Sequence, residues 1–289
     1  MRRFLIILCI FAVTVVGRVS PGTTEEPPDG MPSVVQKPTS APITQAGVSV
    51  GIGTEKPQES SAPATVTTAP PEVEIPPKNP REDVLVCLDA GHGLIDPGAI
   101  GWLNGTEYYE KTLNLAVALR AKQALEARGY RVLMIRTGDT SLLGGSDRGA
   151  SYKTADEAVA RRQLAKRMGA DLYISVHCNA YVGATRAYGP LVFYNSSPAT
   201  TYRALSLARA FSTRFTEMNA GYAGAKACEV REGNSYIVLR ELTMPALLLE
   251  LGFMTDEGDL SLLIRKDWQE DCAAAIASGV EDAFLNGWI

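Results

Sequence analysis

The chain has 289 residues, 46% of them hydrophobic and 21% charged, with a formal net charge of −4. That length can bury a substantial core in one large domain or two modest ones. The mildly acidic balance argues against a nucleic-acid binder, which ordinarily carries a basic patch or a basic domain.

At the N-terminus, MRR is followed by FLIILCIFAVTVVG, an uncharged run over residues 4–17. A basic start and a short apolar run are the plan of a secretory signal, and the run is short beside the roughly 20 residues of a membrane span. Residues 1–19 are therefore predicted to be a signal peptide or, if uncut, a signal anchor giving N-terminal membrane attachment. Cys9 lies too early, and after leucine, for a lipoprotein acylation site. The stretch 20–82 holds 13 of the 17 prolines, mixed with Thr, Ser, Glu and Gly. Such a composition cannot bury enough apolar surface to offset its ordering entropy, so a disordered Pro/Thr/Ser-rich linker is expected. The protein is expected to be exported, either extracellular or associated with the cell wall or membrane.

Residues 83–289 form the single predicted folded domain, and its elements alternate. VLVCL (84–88) reads as a strand. A helix over 111–128 presents Leu113, Val117, Ala121, Ala124 and Leu125 as an apolar stripe and stops at Gly129. A strand at 130–135, a Gly/Ser-rich loop and a helix at 156–168 follow. Strands at 171–176 and 189–194, a helix at 199–218, a strand at 245–251 and a helix at 267–285 complete the chain. Near-continuous apolar strands separated by amphipathic helices predict an α/β fold, a mostly parallel central sheet covered by helices on both faces.

Four cysteines lie in this domain: Cys87, Cys178, Cys228 and Cys272. They could form two disulfides in three connectivities or remain buried thiols. The absence of any CxxC pair argues against a thiolate zinc site.

The chain has only two histidines, His92 and His177, and each closes or follows an apolar strand-like run, as does Glu250 in LLLELGF. In an open parallel sheet, ligands bind beyond the carboxyl ends of the strands, so these three groups are predicted to converge on one edge. Two imidazoles are common zinc ligands, and a catalytic site adds a third protein ligand. With no histidine left, the third ligand should be a carboxylate, and Glu107 and Glu110 are the candidates; Glu110 opens the predicted helix just after the unit that carries His92, where an acid would equally serve the helix dipole. Glu250 would be costly to bury unless paired, metal-bound or protonated. A proton-shuttling role or a salt bridge to a residue such as Arg240 would each account for it.

Five segments in order, DAGHGLIDPGAIG, YEKTLNLAVAL, GYRVLMIRTGD, ADLYISVHCNA and VLRELTMPALLLELGFMTDEGDL, resemble the zinc-dependent N-acetylmuramoyl-L-alanine amidases of the type 3 cell-wall class. The resemblance spans residues 84 to about 285. It implies one zinc ion per catalytic domain, with His92, Glu110 and His177 as its ligands and Glu250 as the catalytic glutamate. It implies bacterial peptidoglycan as substrate, cut at the amide joining the lactyl group of N-acetylmuramic acid to L-alanine. The catalytic domain is expected to be monomeric.

The chain departs from the family pattern at three places. Arg161 is followed by Ala165-Lys166, where the family often has an Ala-Asn pair. Cys178 occupies a position usually small or polar, and its side chain should point away from His177 on an extended backbone. The loop 138–156 is longer than in the simplest relatives. With 72 residues between His177 and Glu250, no inserted autoinhibitory helix is expected. Arg240, upstream of Glu250, is a further candidate for substrate binding. Two alternatives are a zinc peptidase cutting within the stem peptide and a catalytically silent wall-binding module. The Asn104 and Asn195 N-x-S/T matches carry no meaning for an exported bacterial protein.

Overall fold

The computed structural model describes residues 79–144, 154–197 and 199–289. The signal or anchor segment 1–19, nearly all of the 20–82 linker and the middle of the 138–156 loop lie outside the described residues. Every element below belongs to the unit Pro71–Ile289.

Three strands are buried along almost their whole length: β1 (Leu85–Ala90), β5 (Leu172–Asn179) and β8 (Ala246–Phe253). Their continuous apolar runs fit the centre of a sheet covered on both faces. The hairpin strands β2 (Ile100–Leu103) and β3 (Thr106–Tyr109) follow β1, and β4 (Arg131–Met134), β6 (Leu191–Tyr194) and β7 (Glu229–Glu232) flank the centre. The main sheet runs β4-β1-β5-β8-β6-β7. Strands β4, β1, β5 and β8 are mutually parallel, β6 is antiparallel to β8, and β7 is parallel to β6.

Alternate residues of each central strand go to opposite faces. Val86, Leu88, Ile174, Val176, Leu247 and Leu249 join one core with α1 (Glu110–Glu126), α3 (Thr201–Asn219) and α5 (Lys266–Leu285). Cys87, Tyr173, Ala246 and Leu248 join the other, beneath α2 (Thr154–Arg167) and the 3₁₀ turn Ile237–Leu239. A short helix α4 (Glu257–Leu263) follows β8 and is capped by the Asp256 carboxylate, which accepts from the Asp259 N–H. The predicted α/β class, with its mostly parallel sheet between helical layers, is the observed fold.

The differences lie at the rim. The hairpin β2–β3, the edge strand β7 and helix α4 are additional to the predicted elements. Strands β1, β5 and β8 each extend two or three residues beyond the predicted ends, because backbone pairing continues through His177, which lies in register with Glu250. The two residues that should sit at or past strand ends are therefore held within the final turns of the ladder. Among the described residues, the chain between α3 and β8 forms β7 and the 3₁₀ turn and no α-helix. All four domain cysteines are buried free thiols.

Where the described chain begins, a 3₁₀ turn (Pro80–Asp83) is capped by Asn79. Arg81 reaches α5 through its Nε, 3.0 Å from a Glu281 oxygen, and through a second guanidinium nitrogen on the other oxygen. Tyr130 donates to the same carboxylate and the Phe284 ring lies beneath the Arg81 guanidinium. This clamp fixes the start of the domain at the amino end of β1, while the functional candidates lie at the carboxyl ends of the strands.

Candidate metal centre

His92 follows β1 in the turn Gly91–Leu94. Its backbone is left-handed, with φ of 62°, as is that of Leu94 at 54°. A non-glycine residue holds that conformation only where its surroundings impose it. Here buried arginines from two elements grip the turn. Arg161, on α2, donates to the carbonyls of Ala90 and His92 and forms ion pairs with Asp89 and Glu157. Arg136, just after β4, donates to the carbonyls of Ala90 and Gly91. The imidazole is then aimed by Asp96, whose carboxylate lies 2.9 Å from Nδ1, leaving Nε2 to face the site.

His177 arrives on the adjacent strand, and the two rings meet edge to face with centroids 4.8 Å apart. Glu110, the first residue of α1, enters between them. Its Oε1 lies 3.1 Å from His92 Nε2 and 2.9 Å from His177 Nδ1. The Cys178 N–H and the Asn114 side-chain amide also donate to Oε1, while the Ala99 N–H donates to Oε2. Glu107, the other candidate carboxylate, is on the exterior of the hairpin and accepts from the Tyr109 hydroxyl. Of the two, the structure brings Glu110 to the histidines.

Nitrogen and oxygen donors from His92, Glu110 and His177 all lie within 4.8 Å of one another. Two imidazoles and one carboxylate are a usual donor set for a catalytic divalent ion with an open fourth position. The electrostatics favour a cation as well. Burial alone would push the Glu110 carboxyl up, but His92 and His177 hold it well below the usual carboxylate range. Burial likewise disfavours a charged His92, yet the Glu110 and Asp96 carboxylates outweigh it and raise its pKa to about 10. The buried Glu110 carboxylate thus recruits positive charge, a proton on His92 or, in its place, a metal ion. Close packing keeps it open only because two neighbours are glycines: a Cβ on Gly91 would overlap the His177 ring, and one on Gly98 would lie 2.5 Å from Glu110 Oε2.

Glu250 stands beside His177 on β8, 7% exposed, and its Oε2 is buried without a hydrogen-bond partner. Burial and the nearby Glu110 carboxylate push its carboxyl well above the usual range, with His92 opposing. No salt bridge to Arg240 forms; that guanidinium donates instead to the carbonyls of Asn234 and Ser235. Cys178 turns its side chain into the helix-side core, away from the donors.

Residues 86–282 match the family described as N-acetylmuramoyl-L-alanine amidase. The chain belongs to that family. A sporulation-specific N-acetylmuramoyl-L-alanine amidase of Bacillus subtilis is 31% identical over 202 residues, 70% of this chain and 68% of that protein. Among solved structures, the catalytic domain of the amidase CwlV from Bacillus (Paenibacillus) polymyxa is 29% identical with a TM-score of 0.56, covering 70% of this chain and 98% of the other. The CwlD amidase of Clostridioides difficile, solved in complex with the GerS lipoprotein, is 26% identical with a TM-score of 0.61, covering 71% and 100%.

This amidase carries supporting residues that sequence reasoning passed over. Asp96 orients His92, Asn114 bridges the Gly91 carbonyl and Glu110, and Asp89 anchors Arg161 while accepting from Tyr173 and Ser175. Asp89 carried a usable signal, since a carboxylate closing an apolar strand is the same anomaly that singled out Glu250. Asp96 carried a weaker one, its spacing of four from His92.

Proposed function

We propose that this amidase hydrolyses the amide between the lactyl group of N-acetylmuramic acid and L-alanine in bacterial peptidoglycan, with one zinc ion held by His92, Glu110 and His177 and Glu250 as general base. The observation that carries this reading is the meeting of two imidazoles and one buried carboxylate, with Glu250 in register beside the second imidazole. Bound zinc supplies Lewis acidity toward the scissile carbonyl and the attacking water. Asp96 keeps the His92 ring oriented through Nδ1, and the Glu110 backbone contacts hold its carboxylate rigid.

Glu250 takes the proton of the attacking water and returns it to the departing alanine nitrogen. The unpaired Oε2 fits a carboxylate whose partner is a transient reactant. In this reading residues 1–19 direct export as a signal or anchor, 20–82 form a linker and 83–289 are the catalytic domain. No helix among the described residues is long and apolar enough to cross a membrane.

Glu250→Gln should fold, retain stoichiometric zinc and lose turnover by about 10²–10⁴-fold. The assay is mass spectrometry of digested sacculi, in which free lactyl-muramic ends mark the amidase and new termini within the stem peptide would mark a peptidase. A Glu250→Gln variant that cleaves at the normal rate would remove Glu250 from the mechanism.

A further inference from the structure

We infer that the groove between β2 and the Met254–Glu257 turn seats the glycan strand, with the Trp102 indole as the stacking surface for a hexosamine ring. This deepens the proposed function and rests on it. The groove is about 450 Å³, lined on one side by Ile100, Trp102 and Asn104 and on the other by Met254, Thr255 and Glu257. Both walls are continuous with the centre. The hairpin begins at Ala99, whose N–H holds Glu110, and ends where β3 runs into that same glutamate. The opposite wall follows the strand that carries Glu250.

The hairpin has a closed face and an open one. At Gly101 a Cβ would lie 2.7 Å from the Met254 carbonyl and 2.8 Å from Leu260, so this face is packed down, with Leu103 and Tyr108 against the core. Residues at the alternate positions face outward, and Trp102 is 64% exposed. Tryptophan is buried on average, and an indole left open on a groove wall beside a reaction centre calls for a flat partner. A pyranose ring supplies one: an apolar C–H face for the indole, and rim hydroxyl and acetamido groups for Asn104, Thr255 and Glu257. Trp102 pairs with Glu107, which precedes Glu110 by three residues of extended chain, roughly 10 Å. That span places the stacked ring next to the muramoyl residue whose side arm is cut.

The test titrates the zinc-loaded full chain with the N-acetylglucosamine tetramer, which has neither peptide nor scissile amide. Binding is read by titration calorimetry, which serves wild type and variants alike; in the wild type a fluorescence change further places the sugar at Trp102, because of the other two tryptophans Trp268 is buried and Trp288 packs on the core. Saturable binding is expected for the wild type, about ten-fold weaker in Trp102→Ala and largely restored in Trp102→Phe. The rate on intact glycan strands divided by that on a single muramoyl-peptide should fall by a similar factor in Trp102→Ala. Absent tetramer binding, or equal binding by wild type and Trp102→Ala, overturns the inference. So does an equal rise in KM for polymer and monomer, which would give the groove to the stem peptide. Tetramer binding through Trp102 in an enzyme that does not cut the muramoyl–alanine amide would refute the proposed reaction and leave the groove assignment standing.

Discussion

Gly91 shows how one missing side chain keeps the centre available. Its N–H is tied to the Val176 carbonyl and its own carbonyl accepts from Arg136 and Asn114, so the backbone cannot move aside. A methyl group placed there must displace the His177 ring. Gly91→Ala is therefore expected to keep its secondary structure by circular dichroism while losing at least ten-fold in zinc affinity, measured by competition with a chromophoric chelator. The histidines and Glu250 were legible from sequence because each is a polar residue that closes an apolar run. The choice of Glu110 over Glu107 rested on the family resemblance alone, since both flank the start of one helix and only the hairpin geometry turns one inward and the other outward. Arg161 was visible only as part of a family pattern; nothing in its local sequence announces a buried guanidinium.

Between elements, that guanidinium joins α2 to β1. Its side chain is buried with those of both Asp89 and Glu157, and Glu157 in turn accepts from the N–H groups of Leu142 and Leu143. Arg161→Ala leaves two buried carboxylates without their counter-ion, at a cost of about 3–5 kcal/mol. Urea unfolding should show that loss, and zinc affinity should fall with it because the His92 carbonyl loses its anchor. The principal strands and helices were legible from their periodicity to within a few residues. The hairpin was missed although WLNGTEYY contains its signature: Asn104 and Gly105 take φ of 51° and 76°, the pair of positive values that a tight two-residue turn requires. Strand β7, with three charged residues in EVRE, lacks an apolar run because it is an edge strand. The reversed direction of β6 was hidden as well, because LVFY reads the same whichever way its neighbour runs.

For the molecule as a whole, a buried carboxylate between two imidazoles should couple metal content to stability. Zinc at 100 times its dissociation constant should add about 2.7 kcal/mol. At roughly 2–4 °C per kcal/mol for a domain of this size, chelation should lower Tm by about 5–10 °C, and scanning calorimetry with and without chelator checks this. The cysteines set a separate limit at high pH. Burial raises the Cys228 thiol to about 12 and the Cys87, Cys178 and Cys272 thiols well above the ordinary 9.0. The folded state keeps these protons while the unfolded chain releases them. The associated stability is therefore fully present below pH 9 and lost as the pH rises through the folded values. Tm should decline between pH 9 and 12, and alkylation resolved by mass spectrometry should leave all four thiols unmodified at pH 8 until the protein unfolds.

The Arg81–Glu281 clamp also has a mechanical meaning. Tension applied to the chain ahead of Asn79 meets that two-pronged contact before it meets β1, and the contact passes the load into α5. Helix α5 packs along α1 and α3, so the pull is spread through a helical layer rather than drawn along the strand that leads to His92. An enzyme held by its leading segment while its substrate moves would thus take strain on one side and keep its reactive groups still on the other.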